Sequence, residues 1–248
     1  MLYQTRSTIF GGGAMTPAVK TLLIANAAFF VFQSFMDYTF IYLFGLVPRL
    51  VWQEGYLWQL FTYQFLHGGL FHLLFNMLAL WMFGCDLERR WGPSFFFKYY
   101  FVSAVGGGLL NAAFLPSQSV PSIGASAGVY GVLLAYGLAY PNRTIYFYFL
   151  FPIKMKHFVL IIGAISLYSS LMASGSGIAH LAHLGGMGFG YLYLRCGSSA
   201  LTALSLSKGG NPIVRVRIFL DRYRLARRKR RFRVVNGKKD DDSKPTLH

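Results

Sequence analysis

Residues 66–84 read LHGGLFHLLFNMLALWMFG, an apolar run without a single Asp, Glu, Lys or Arg. Three polar side chains nevertheless sit in its first half: His67, His72 and Asn76. A polar group held in hydrocarbon is costly, so such residues are candidates for function before anything else is known of them. Five further apolar runs accompany this one, placing spans at about 18–36, 66–84, 95–113, 126–140, 157–173 and 178–195. Turn-forming residues separate them: Gly92-Pro93, Pro116 to Pro121, Pro141-Asn142, and Ser174-Gly175-Ser176-Gly177. Residues 144–156, with Pro152, Lys154 and Lys156, read as an interfacial connector rather than a seventh span.

Composition points the same way. The 248 residues are 54% hydrophobic and 13% charged, against about 25% charged in soluble domains. The charge that exists is local: of 24 Lys and Arg, 15 lie from Arg195 onward. Basic residues outside the spans alternate along the chain. Arg6 and Lys20 precede or open the first span, and Arg89, Arg90 and Lys98 follow the second. Arg143, Lys154 and Lys156 follow the fourth, while the first loop has one, Arg49, and the third and fifth have none. The positive-inside rule then sets both termini in the cytoplasm and the number of spans as even. The expected architecture is an all-α membrane protein, a six-transmembrane helix bundle, with three parts. Residues 1–17 are a short N-terminal tail, 18–196 the six-span domain, and 197–248 a basic, partly disordered cytoplasmic tail. The first span is long for a signal-peptide core and has no clear cleavage site, so it reads as retained. Cys85 and Cys196 read as reduced thiols at span ends.

In this orientation the second, fourth and sixth spans all run inward. His67, His72 and Asn76, then Ser126, then His180 and His183 therefore share one depth in the outer half of the membrane. From Ser126 to Tyr140 is about 22 Å at a rise of about 1.5 Å per residue, short of a hydrocarbon core of about 30 Å. The loop before Ser126 must dip inward, so a cavity open to the outside with Ser126 at its floor is expected. A serine needs a base to become a nucleophile, and histidine is the usual one. No Asp or Glu lies in the last three spans, so a Ser-His dyad is permitted and a Ser-His-Asp triad is not. His180 and His183 both qualify as base. The backbone N–H of Ser126 at a helix N-terminus, with His72 and Asn76 on one helix face, can supply donors to an oxyanion. His-Glu-x-x-His is absent and paired aspartates are missing from the spans, so metal and aspartyl chemistry are disfavoured. No cofactor and no metal are expected.

These residues carry a family resemblance. His67-x4-His72-x3-Asn76, Gly124-Ala125-Ser126 followed by Tyr130, and Ala182-His183-x2-Gly186-x3-Gly190 resemble, in order and on the matching spans, the motifs of rhomboid intramembrane serine proteases of the six-span bacterial type. Glu88 with Gly92 resembles the family turn after the second span, and Trp58 before Thr62 fits the stretch leading into it. The resemblance implies Ser126 as nucleophile, His183 rather than His180 as base and acid, and His72, Asn76 and the Ser126 N–H as oxyanion hole. It implies Tyr130 as the support of His183, and Gly186 and Gly190 as the residues that let the sixth span pack closely on the fourth. His67 and Gly124 fall in the same motifs as supporting residues. Two departures stand out. Ala127 follows the serine where Gly is common, and the Trp-Arg pair of some members is missing from the first loop, where only Trp52 and Trp58 occur.

The implied substrates are transmembrane proteins cut in or beside a membrane helix, with a small residue before the scissile bond. The rival is a catalytically inactive relative that binds transmembrane clients. The tail cluster from Arg222 to Arg233 suits the anionic headgroups of membrane lipids, and nucleic acid is not expected as a partner. The expected location is a bacterial inner membrane. A tag on the C-terminus should be digested by protease only from the cytoplasmic side of sealed vesicles. Digestion from outside would overturn the even number of spans.

Overall fold

A computed structural model describes residues 14–147, 151–172 and 178–204. The helix α1 (Pro17–Gln33) is followed by three short helices, α2 (Tyr38–Phe44), α3 (Pro48–Gln53) and α4 (Gln59–Thr62), the last running into a 3-10 turn. Then come α5 (Leu70–Ala79) and α6 (Cys85–Trp91), joined through a π-helical turn at Leu80–Gly84 into one rod. The remaining helices are α7 (Pro93–Phe114), α8 (Ser126–Ala139), α9 (Met155–Met172) and α10 (Ile178–Leu204).

Helices thus occupy all six expected apolar segments, but three expectations need correction. The second span begins at Leu70 rather than 66 and ends at Trp91 rather than 84. Gly68-Gly69 delays its start, so His67 lies in the turn before the helix. At the far end Asp86 and Arg89 pair at 2.9 Å along the helix surface, and charge leaving an apolar zone does not end a helix. The connector 144–156 is an antiparallel hairpin, β1 (Thr144–Phe147) with β2 (Phe151–Lys154), Thr144 opposite Lys154. The described fold is therefore mostly, not wholly, helical. Finally, α10 continues past residue 196 to Leu204. The arginine cluster 222–233 lies outside the described residues.

By length and composition, Leu70–Trp91 and Met155–Met172 are apolar enough to cross a membrane, while Pro17–Gln33 and Ser126–Ala139 are apolar but shorter. The exterior of α9 is apolar, with Leu160, Ile165, Tyr168 and Leu171 more than half exposed.

The centre of the bundle is α7, α8 and α10. Large aromatics on α7 (Phe96, Tyr99 and Tyr100) are fully buried, and the Tyr99 hydroxyl donates to the Gly131 carbonyl at 2.6 Å, tying α7 to α8. Higher along α7, Gly107 has no side chain because a Cβ there would lie 2.6 Å from Ala127 Cβ and 2.5 Å from the Ala182 carbonyl oxygen. Three backbones converge at that point. Small residues are what permits such an approach.

Two carboxylates, the buried Glu88 and the partly exposed Asp86, lock the end of the bundle around α6. Glu88 is 2% exposed and accepts from Thr16 Oγ1 at 2.5 Å and from the N–H groups of Ala18 at 2.8 Å and Val19 at 2.9 Å. It caps α1 from another helix, satisfying donors that a helix N-terminus leaves open and setting its negative charge against the positive end of the dipole. Gly92, at φ 81°, then turns the chain directly into Pro93 of α7. Asp86 accepts from Tyr136 of α8 at 3.0 Å and pairs with Arg143 at 2.8 Å.

Bonds to a charged acceptor are worth about 1.5–3 kcal/mol each, and losing the acceptor strands buried N–H groups. Glu88→Ala should therefore lower unfolding stability by about 3 kcal/mol and Glu88→Gln by less. Denaturant unfolding in mixed micelles, followed by far-UV circular dichroism, measures this. Equal midpoints for wild type and Glu88→Ala would refute the capping role.

Candidate active site

Ser126 is the first residue of α8; Ala125 before it has helical backbone angles (φ −68°, ψ −7°), and the Gly124 N–H donates to the Tyr63 carbonyl at 3.0 Å. Gly124 adopts φ 128°, a conformation that residues with a side chain rarely take, and a Cβ there would lie 2.7 Å from His72 Cε1 and 2.8 Å from its Nε2. Glycine at 124 thus does two things. It turns the chain into α8 and lets the His72 ring approach the serine turn.

Ser126 Oγ lies 2.7 Å from His183 Nε2. The imidazole comes from α10 and stacks flat on Tyr130, with centroids 4.1 Å apart and planes 11° from parallel. Tyr130 is one turn from Ser126 on the same helix, which puts the serine and the ring that stacks on His183 on one face. His183 Nδ1 is buried with no hydrogen-bond partner among the described residues, so the ring is held by stacking and not by a carboxylate behind it. His180 sits edge-on to His183, centroids 5.9 Å apart.

His72 Nδ1 accepts from the Gly68 N–H at 3.3 Å. A neutral imidazole that accepts at Nδ1 carries its proton on Nε2, on the edge of the ring that faces the Gly124 turn. Asn76 is 7% exposed, and its Nδ2 donates to the His72 carbonyl at 2.9 Å, one turn back in the same helix. One of its two amide hydrogens is thereby engaged with its own backbone. His67 is 1% exposed, meets His72 edge-on at 5.1 Å, and has neither ring nitrogen bonded among the described residues.

Several contributors were not singled out from sequence. Gln33 clamps the backbone of His67, accepting its N–H at 3.0 Å and donating to its carbonyl at 2.5 Å. A glutamine at the end of an apolar helix was the available signal. Gly107 and Gly185 face one another, with a Cβ on Gly185 falling 2.8 Å from Gly107 Cα. The Gly106-Gly107-Gly108 run was visible as a stripe of small residues. It also explains the departure at Ala127, whose methyl fits against Gly107.

The two motif glycines of α10 differ. A Cβ on Gly186 would run into the carbonyl of Ala127, so this residue sets the approach of α10 to α8 beside the dyad. Gly190 faces α7 instead, where a Cβ would meet the Tyr99 hydroxyl at 2.6 Å and Ser103 Oγ at 2.8 Å. Its expected contact with α8 is corrected accordingly: at this level along α10 the side chains in the way, Tyr99 and Ser103, come from α7. Elsewhere, an apolar cavity of about 340 Å³ lies between α1, α2 and residues 61–66, lined by Phe29, Phe32, Phe40, Phe44 and Phe61 among others, and none of the dyad residues lines it.

A family model described as the Rhomboid domain matches residues 54–200. RHOMBOID-like protein 12, mitochondrial, of Arabidopsis thaliana is 30% identical over 185 residues, covering 68% of this chain and 54% of that protein. Rhomboid protein 1, mitochondrial, of Saccharomyces cerevisiae is 35% identical over 134 residues, covering 52% and 38%. Rhomboid protease GluP of Bacillus subtilis is 34% identical over 167 residues, covering 67% and 30%. The chain spans about half or less of the length of these relatives.

A methyl on Gly186 meets rigid backbone, whereas one on Gly190 meets the ends of two side chains. Gly186→Ala should therefore destabilise the protein by about 3 kcal/mol or more and Gly190→Ala by about 1 kcal/mol. Thermal unfolding of the two purified variants in detergent ranks them, and the opposite order would refute the assignment.

Proposed function

This chain belongs to the rhomboid family, and on that premise we propose that it is an active serine endopeptidase using Ser126 and His183 to cut peptide bonds in or beside transmembrane helices. The family makes it an integral membrane protein of intramembrane proteolysis. The observation that carries the catalytic reading is the 2.7 Å contact between Ser126 Oγ and His183 Nε2.

His183 Nε2 takes the proton as Ser126 Oγ attacks the scissile carbonyl carbon. Negative charge collects on the carbonyl oxygen, where the Ser126 N–H, the His72 Nε2–H and the free amide hydrogen of Asn76 receive it. The imidazolium then protonates the leaving amine, and the C–N bond breaks to leave an acyl group on Ser126. Water, deprotonated by the same histidine, releases the acid. With no carboxylate among the described residues to orient it, His183 depends on the Tyr130 ring for its pose. His67, Gly124, Gly186 and Gly190 support these positions through packing.

Six crossings with both ends cytoplasmic accord with the alternation of basic residues. They put Ser126 in the outer half of the bilayer, within a membrane domain of residues 18–196. The basic composition of the tail 197–248 suits anionic headgroups, and a bacterial inner membrane is the setting we favour. A relative that binds clients without cutting them would have no use for a serine and an imidazole in hydrogen-bond contact.

Purified protein should cleave a single-span model substrate in detergent. Ser126→Ala and His183→Ala should each reduce turnover by at least about 10³-fold, and Asn76→Ala by about 10²-fold. His180→Ala should keep measurable activity. Substrate that co-purifies with the wild type but is never cut would favour the client-binding alternative.

A further inference from the structure

Resting on that catalytic reading, we propose that Gln59 is a positioning residue for the nucleophile, acting through the first loop and the segment 122–124. Gln59 is fully buried at 0% exposure, and its amide is committed to backbone on the opposite side of the loop. Oε1 accepts the Val47 N–H at 2.9 Å, while Nε2 donates to the carbonyls of Tyr42 at 3.0 Å and Leu43 at 3.1 Å. One side chain therefore fixes the strand-like stretch 45–47 between α2 and α3. A buried donor or acceptor deprived of its partner is costly, so this stretch has no equally good alternative place.

That stretch is half of a β-bridge whose other half leads into the active site. Leu46 N–H donates to the Ser122 carbonyl at 2.9 Å, and Ser122 N–H returns the bond to Leu46 at 2.8 Å. Asn111 of α7 reaches Ser122 Oγ at 3.4 Å. Two residues on, Gly124 N–H donates to the carbonyl of Tyr63 at 3.0 Å, and two residues further stands Ser126. Tyr63 follows Gln59 by one helical turn and is anchored below by its hydroxyl, which donates to the Ala104 carbonyl at 2.7 Å. The helical turn 59–63 is thus a template with two attachment points. Its upper one, Gln59, holds the loop strand that pairs with Ser122. Its lower one, Tyr63, holds Gly124 directly.

Between them they set the height and direction at which the chain enters α8, and hence where Ser126 Oγ stands relative to His183 and His72. Gln59 touches none of the reacting atoms. Its effect on turnover comes from geometry, where a displacement of about 1 Å can cost about 10²-fold. Trp52 and Trp58 also bond to backbone, at Ala112 and Leu43, but neither meets the strand half of the bridge.

The test compares wild type with Gln59→Leu, which keeps the volume and removes both bonding functions. Three quantities are measured on folded protein in detergent: kcat and KM for a single-span substrate, and the rate at which a fluorophosphonate labels Ser126. The expected result is a fall in kcat of roughly 10- to 100-fold, an unchanged KM, and labelling slowed in parallel. A merely structural role would lower the folded fraction and leave kcat and labelling rate per folded molecule untouched, and that outcome overturns the proposal. Gln59→Arg, which restores donors to the Tyr42 and Leu43 carbonyls, should recover most of the lost kcat. Where Gln59→Leu does not fold, Gln59→Glu, which keeps the acceptor for Val47, is measured in its place, and wild-type kcat in that variant overturns the proposal equally. A wild type that neither cleaves nor labels would instead defeat the catalytic reading itself.

Discussion

The contact of three helix backbones around Ala127 is the constraint on which the rest depends. Gly107 on α7, Ala127 on α8 and the Ala182 to Gly186 stretch on α10 meet with no room for another methyl group. Ser126 is the neighbour of Ala127 in sequence and His183 the neighbour of Ala182. The 2.7 Å separation of the serine hydroxyl and the imidazole is therefore a by-product of helix packing. In an apolar surrounding, association of helices comes from close van der Waals fit rather than exclusion of water. Small residues at the crossing supply that fit, and the site inherits its precision from them.

A second regularity concerns where the buried polar side chains go. Glu88 binds the open N–H groups of α1, Gln33 binds the backbone of His67, and Gln59 binds three backbone groups of the first loop. Each reaches across to irregular or terminal backbone from a residue distant in sequence. Where water is scarce, every N–H and C=O outside regular structure must find a protein partner. These side chains let turns and helix ends exist inside the bundle, and two of them, Gln33 and Gln59, brace segments flanking the site.

Much of the helix layout was legible along the chain because apolar runs and turn residues are local signals. Errors gathered where local signals compete. Gly68-Gly69 kept His67 out of the helix, and the connector with Pro152 became a hairpin because its backbone pairs with itself. The Trp-Arg pair missing from the first loop left that loop without a reading, yet Trp58, Gln59 and Thr62 bond to backbone there and Trp52 bonds to the Ala112 carbonyl of α7. Nothing in their spacing names the carbonyls they meet.

The amino-acid order by itself determined which segments are apolar, which residues punctuate them, and that serine, histidines and asparagine are embedded in them. It also determined that no carboxylate accompanies the later histidines. The tertiary structure supplies the physical reason that His183, which the family resemblance implied, and not His180 meets the serine. His180 and His183 lie on the same helix within one turn, and the choice follows from the rotation of α10 against α8. Likewise it decided that Gly186 faces α8 while Gly190 faces α7, and that Ser122 is paired with Leu46. The reason is physical: periodicity is a property of neighbours in the chain, whereas these contacts depend on how closely distant backbones approach, and that distance is set by the fit of all the side chains between them.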